Sequence, residues 1–185
     1  RNYTFAFYSP GTSTLKYNFT GNNYSSSDLH LRDYDLIITT ESSHQIVLYN
    51  LTMNQSTIPI QIDNFTSGTI SNHKILVGLG VNSTFSGNGL LNISYLGLFN
   101  PEISAINETE LEVYKCSNWS YAGRTCTTSY TNYSNYTVDS TNDRVIINIS
   151  SFSSYALSER TCGNGICQAA YGETVATCPG DCIPN

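Results

Sequence analysis

The chain has 185 residues, enough for one well-buried domain of about 150 residues and a small appendage. Only 12% of the residues are charged, and the net charge is −6. This balance disfavours nucleic acid and anionic membrane surfaces as partners, because both require clustered Lys and Arg. No apolar run approaches the roughly 20 residues that span a bilayer, and the N-terminus lacks the layout of a signal peptide, so we expect a mature, processed chain.

Strand-length apolar runs, separated by turn residues, follow one another along the chain. They are predicted at 3–8, 15–19, 29–31, 36–40, 46–51, 58–62, 75–81, 90–99, 111–114 and 145–149. In the last run Val145, Ile147 and Ile149 alternate with polar residues, as in a strand with one buried face. No helical period accompanies these runs, so we predict an all-β fold, an antiparallel β-sandwich of Ig-like or jelly-roll-like type. Pro59 predicts that its strand lies at a sheet edge.

The composition changes at two places. Residues 116–142 are rich in Cys, Ser, Thr, Tyr and Asn and lack apolar spacing, so we predict a loop excursion pinned by Cys116 and Cys126. A second change follows Arg160. We therefore predict a sandwich domain over 1–160 and a small Cys-rich module, or knob, over 161–185.

N-glycosylation sequons are the most over-represented feature of the sequence. Thirteen of the twenty Asn residues stand in Asn-x-Ser/Thr, where chance would give about five. They are Asn2, Asn18, Asn23, Asn50, Asn54, Asn64, Asn82, Asn92, Asn107, Asn118, Asn132, Asn135 and Asn148. Asn18, Asn50, Asn92 and Asn148 alternate with apolar neighbours, which predicts outward Asn side chains on strands. The alternative is a chain rich in Asn, Ser and Thr with accidental matches.

Use of these sites would make covalent N-glycans, rather than charge, the hydrating coat. It would also exclude the cytoplasm, so we expect an extracellular or cell-surface protein.

Six cysteines permit fifteen connectivities. Locality favours Cys116 with Cys126, and the remaining four, Cys162, Cys167, Cys178 and Cys182, among themselves. The pairing we expect for those four is Cys162–Cys178 and Cys167–Cys182. Four Cys could instead hold zinc, but an exported chain lies in an oxidising compartment where disulfides prevail.

Three oxygen-bearing residues lie between the last cysteines: Asn164, Glu173 and Asp181. Amide and carboxylate oxygens on Gly-rich turns suit Ca²⁺, which accepts irregular oxygen geometry. The alternative is that Asn164 and Asp181 belong to plain turns and that Glu173 is solvated. No cofactor is required by the predicted fold, and Ca²⁺ is the one this module would take.

The pattern C-G-N-G-x-C, then G-E, then C-P-x-D-C, resembles the short Cys-rich module that follows β-sandwich domains in many archaeal and bacterial surface proteins. The 111–114 strand, Trp119 and the 147–157 run ending in FSSYAL resemble the close of those sandwiches. The resemblance covers roughly 109–182. It implies a cell-surface protein and says little about activity.

These features predict a non-enzymatic structural protein, the repeating subunit of a pilus-like surface filament or layer. Tyr3, Phe5 and Phe7 alternate in the first strand, which could complete a neighbour's sheet by strand addition and make the chain its own partner. The opposing expectation is that this strand pairs within its own subunit. The alternative function is an adhesin or ligand-binding ectodomain that uses Tyr121, Tyr130, Tyr133 and Tyr136. No acid/base pair, HExxH motif or phosphate loop suggests an enzyme.

Overall fold

The computed structural model describes residues 2–8, 15–20, 30–40, 44–54, 60–66, 68–83, 89–96 and 106–183. The strands are β1 Asn2–Tyr8, β2 Leu15–Thr20, β3 His30–Thr40, β4 Gln45–Asn54, β5 Ile60–Phe65, β6 His73–Ser83, β7 Gly89–Ser94, β8 Leu111–Cys116, β9 Trp119–Ser120, β10 Thr125–Cys126, β11 Tyr130–Asn132, β12 Tyr136–Asp139, β13 Arg144–Ile149 and β14 Ser154–Arg160. Two short 3₁₀ helices, Glu108–Glu110 and Ala169–Tyr171, accompany them. Within the described ranges, no helix has the length and apolar character needed to cross a membrane.

Two antiparallel sheets form the domain. The large sheet has the strand order β12-β13-β7-β4-β3-β1-β2, and the small sheet has the order β11-β8-β14-β6-β5. Strands β9 and β10 form a separate two-stranded hairpin. The predicted all-β antiparallel sandwich is confirmed.

The main core lies between the two sheets. The large sheet contributes residues from β3, β4, β7 and β13, including Ile38, Leu91 and Val145, each 0% exposed. The small sheet contributes residues from β5, β6, β8 and β14, including Leu79 and Val113. Each such side chain stabilises the fold by roughly 1.5–3 kcal/mol when fully buried. The expected inward face of β13 is confirmed, since Val145, Ile147 and Ile149 all belong to this core.

A second apolar cluster covers the outer face of the small sheet. It consists of Phe65, Ile70, Ile75, Cys116, Trp119 and Ala156. Trp119, from the β9–β10 hairpin, stacks on Phe65 of β5 with ring centroids 4.1 Å apart. The small sheet is therefore covered on both faces.

This double covering explains why the sequence did not reveal β14 as a strand. Six of its seven residues are buried, so the alternation of apolar and polar residues that marks a half-exposed strand is missing. Ser154 and Ala156 face the hairpin side, where Ser154 lies opposite Gly80 and Ala156 opposite Gly78 in β6. Small residues allow the hairpin to approach the sheet closely.

Other boundaries differ from the predicted ones. Residues 30–31 of one predicted run and the whole run 36–40 belong to the single strand β3, residue 29 lies outside the described residues, and β7 ends at Ser94. The excursion is shorter than 116–142, because β11 pairs with β8 in the small sheet and β12 pairs with β13 in the large sheet. Strand β5, which follows Pro59, is the last strand of the small sheet, so its edge position is confirmed.

The first strand is an internal strand of the large sheet. Its backbone pairs with β2 on one side, where Phe5 lies opposite Tyr17, and with β3 on the other, where Phe5 lies opposite Ile38. Tyr3, Phe5 and Phe7 therefore occupy register positions within their own sheet. Within the part of the chain that the structure describes, β2 is the last strand on this side of the sheet.

Candidate functional site: a hydroxyl-lined groove

The sequons with described side chains lie mostly at the surface. Asn148 is exposed between buried Ile147 and Ile149, and Asn92 is half-buried between buried Leu91 and Ile93. The pleat-based prediction is confirmed for these two positions. Asn107, Asn118, Asn132 and Asn135 are also exposed, whereas Asn64 is half-buried. Of the remaining sequons, Asn2, Asn18, Asn50, Asn54 and Asn82 lie in described strands, and Asn23 lies outside the described residues.

The three expected disulfides are present: Cys116–Cys126, Cys162–Cys178 and Cys167–Cys182. The first closes the loop that carries the β9–β10 hairpin. The other two hold the knob, which also docks on the sandwich through a hydrogen bond of 2.9 Å from the Asn72 N–H to the Tyr171 carbonyl. Disulfides in place of zinc fit an oxidising, extracellular compartment.

Two of the candidate calcium ligands, Asn164 and Asp181, accept hydrogen bonds from backbone N–H groups. The Asp181 carboxylate accepts backbone N–H groups from Gly163 at 2.5 Å and from Gly165 at 2.9 Å. The Asn164 side-chain oxygen accepts the Ile166 N–H at 2.8 Å. N–H groups direct positive dipole ends at these oxygens, so Asn164 caps its own turn and Asp181 caps the turn at residues 163–165.

Glu173 lies apart from that turn. Its carboxylate groups with the Cys167–Cys182 disulfide, whereas Asp181 groups with Cys162–Cys178. Glu173 is only 1% exposed, so the alternative of a solvated Glu173 is wrong. Its Oε2 accepts the Gln168 N–H at 2.7 Å, and its Oε1 has no hydrogen-bond partner among the described residues. Calcium binding by Asn164, Glu173 and Asp181 stays a prediction.

A groove opens on the outer side of the small sheet, between residues 68–71 and residues 125–130. Its volume is about 610 Å³, within the range of roughly 300–1,000 Å³ for ligand pockets. The lining residues are Gly68, Thr69, Ile70, Ser71, Tyr114, Thr125, Cys126, Thr128, Ser129 and Tyr130. Five of the ten carry an aliphatic hydroxyl group, and none is charged.

Tyr114 is held in place beside the groove by two polar neighbours, Glu112 and His73. Its hydroxyl donates to Glu112 Oε2 at 3.0 Å, and its ring meets the His73 ring edge-on at 5.0 Å. His73 Nε2 lies 3.2 Å from the same Glu112 oxygen. Arg160 binds the other oxygen of Glu112. The His73 Nδ1 lies 2.8 Å from the Ser71 carbonyl, which only accepts, so Nδ1 carries a proton.

The protonation states of this cluster follow from its contacts. Burial opposes ionisation of Glu112, but hydrogen bonds from Arg160 and Tyr114 hold the pKa of the Glu112 carboxyl below its ordinary value. Burial and the Glu112 contact raise the pKa of Tyr114, and burial raises the pKa of Tyr130 to about 12. At neutral pH the groove thus presents the protonated phenols of Tyr114 and Tyr130. The Glu112 carboxylate lies beside the groove and is paired with Arg160.

The four tyrosines predicted to form a binding face do not lie on one face of the structure: Tyr121, Tyr130, Tyr133 and Tyr136 pack in three different places. Only Tyr130 lines the groove. Tyr133 and Tyr136 pack against the main core, where the Tyr136 hydroxyl donates to the Leu111 carbonyl at 3.1 Å. Tyr121 packs against the second cluster.

Sequence reasoning missed the residues around Tyr114. Glu112, His73 and Arg160 come from three strands that are far apart in the chain, and only the sheet register brings them together. The available signal was the alternation in β8, where Glu112 and Tyr114 interleave with buried Leu111 and Val113.

Comparison of the chain with protein-family models, with curated proteins and with solved structures found no match.

Proposed function

We propose that the chain is an extracellular, N-glycosylated, non-enzymatic structural protein, the repeating subunit of a surface filament or layer. The observation that supports this best is the outward position of strand sequons such as Asn148, whose apolar neighbours build the core. Glycans there would hydrate a surface with few charges and leave the sandwich intact. Three disulfides fit the same compartment.

The contact between subunits uses the edge of the large sheet. Strand β1 is paired on both sides, so donating it would first break its ladders with β2 and β3. Among the described strands, β2 has a pairing partner on one side only, so its other side can extend the sheet into another copy through backbone hydrogen bonds. If β2 meets a different edge of the next copy, the contact does not close and builds a fibre.

Two proline variants test this contact. Successive N–H groups of an edge strand point alternately toward the sheet and away from it, so one of Tyr17→Pro and Asn18→Pro removes only an outward N–H. We expect that variant to melt near the wild-type temperature yet to lose assembly in negative-stain images and in light scattering at high concentration. Polymers of both variants, equal to those of the wild type, would contradict the β2 contact.

Glycosylation is tested separately. Intact-mass analysis of native material, followed by peptide mapping, is expected to find glycans at Asn148 and at further exposed sequons. A bare polypeptide mass would refute the glycan coat.

The groove beside Tyr114 supports a second candidate, a ligand-binding ectodomain. The supporting observation is a cavity of ligand size with a ring held by hydrogen bonds on its wall.

A further inference from the structure

We propose that the groove between residues 68–71 and 125–130 binds a saccharide. This inference deepens the second candidate function, the ligand-binding ectodomain, and is independent of polymerisation. The ligand class follows from the chemistry of the lining.

The lining excludes most other ligand classes. None of the ten lining residues is charged, so a charged ligand would lose hydration without gaining an opposite charge. Ile70 is the one aliphatic residue among the described lining residues, so an apolar ligand would bury little matching surface. The groove therefore suits an uncharged ligand that is itself rich in hydroxyl groups.

The exposed hydroxyls suit such a ligand. Thr69 and Ser71 line one side, and Thr125, Thr128 and Ser129 line the other. All five are exposed, and each hydroxyl both donates and accepts, as sugar hydroxyls do. Hydrogen bonds from both sides would fix the orientation of a short oligosaccharide.

Tyr114 supplies an apolar surface for the carbon face of a pyranose ring. Its hydroxyl is bound to Glu112, and its ring is packed against His73. Because these contacts already fix the side chain, little rotamer entropy is lost when a ligand binds.

Two sources could supply the saccharide. Asn132 of β11 lies directly opposite Tyr114 in the register, and its Nδ2, the atom that a glycan modifies, lies 3.1 Å from Glu112 Oε2. A glycan on Asn132 therefore starts beside the groove. A free oligosaccharide, or a glycan of another copy, is the other source.

The test uses the full chain, with its disulfides formed, from a host that adds no N-glycans. Maltotriose, mannotriose and triacetylchitotriose are titrated by calorimetry and by amide NMR. We expect one of them to bind and to shift the amide signals of residues 68–71 and 125–130. Tyr114→Ala should weaken that binding about tenfold, and Thr69→Ala/Ser129→Ala should weaken it severalfold. The control Thr141→Ala, an exposed turn residue outside the groove, should bind as the wild type does.

Tyr114→Phe protects the test against misfolding, because it keeps the ring and removes only the hydroxyl group with its contacts to Glu112 and His73; it should bind the sugar more tightly than Tyr114→Ala does. The proposal is overturned if none of the three sugars binds. It is equally overturned if Thr69→Ala/Ser129→Ala and Tyr114→Ala both bind as tightly as the wild type.

Glycosylated material separates the two sources. Ser134→Ala destroys the Asn132 sequon alone. If the chain's own glycan fills the groove, the glycosylated wild type will not bind the sugar and glycosylated Ser134→Ala will bind it. If the ligand comes from outside, both will bind equally. Either result supports a saccharide site.

Discussion

Among the described glycines, Gly78 has the shortest contact for an added methyl group. A Cβ at Gly78 would lie 2.1 Å from Cζ and 2.2 Å from Cε2 of Phe65. Ordinary carbon contacts need about 3.5 Å, so the ring would have to retreat by more than 1 Å. It has no room to do so, because Phe65 is 3% exposed and Trp119 stacks on it at 4.1 Å.

We therefore expect Gly78→Ala to destabilise the fold by about 2–4 kcal/mol, from overpacking and partial loss of the Phe65–Trp119 contact. For a chain of this size that lowers the melting temperature by roughly 5–15 °C. Urea unfolding of the oxidised protein measures the change. Gly180→Ala is the matched control, since a Cβ there meets nothing within 4 Å, and it should lie within about 0.5 kcal/mol of the wild type.

A double-mutant cycle identifies the mechanism. Phe65→Ala alone should cost about 3–5 kcal/mol through the cavity that it leaves. In Gly78→Ala/Phe65→Ala the new methyl group enters that cavity, so the loss should be smaller than the sum of the two single losses by at least about 1 kcal/mol. Additive losses, or a stable Gly78→Ala protein, would refute the reasoning.

Three further predictions concern other contacts. The Arg124 Nε donates to Asp63 at 3.0 Å and connects the β9–β10 hairpin to β5. Asp63→Asn should therefore lower the free energy of unfolding by about 1–2 kcal/mol and speed the hydrogen exchange of the hairpin amides. Unchanged exchange would contradict this role of Asp63. Replacing Cys116 and Cys126 together by Ser opens a loop with a sequence separation of 10, which should lower the unfolding free energy by about 2.7 kcal/mol in urea titrations. Burial lowers the pKa of His44 in the folded protein, so on acidification His44 is protonated in the unfolded chain at a higher pH than in the folded one. The free energy of unfolding should therefore have its full value above pH 6.5. Below that pH it should fall by at most about 1.4 kcal/mol per pH unit, until the pH passes the folded-state pKa. A His44→Asn variant should lose that part of the acid dependence, and an identical pH profile would exclude His44 as its source.

The candidate site shows where sequence reasoning stops. The groove joins a turn before β6 to β10 and the residues that follow it, and its wall residue Tyr114 comes from β8. Cross-strand neighbours are set by register, and a shift of one residue would turn Tyr114 to the other face. Glu112 and Arg160 lie 48 positions apart in the chain, so no local pattern links them.

The sequence was sufficient to predict features that depend on residues close together in the chain. Alternation in β13 identified its buried face, because a strand with one wet side repeats every two residues. Locality paired Cys116 with Cys126 and kept the last four cysteines among themselves, and the structure confirms both. The outward side chains of Asn92 and Asn148 followed from the same period.

Only the tertiary structure shows which elements pack against or pair with a given strand, and this decided the burial of β14 and the internal position of β1. Strand β14 lacked a period because the β9–β10 hairpin buries its second face. Strand β1 became internal because β2 and β3 pair on its two sides, which no property of residues 2–8 specifies. Amino-acid type sets which faces avoid water, whereas the partner that shields each face is chosen by long-range packing.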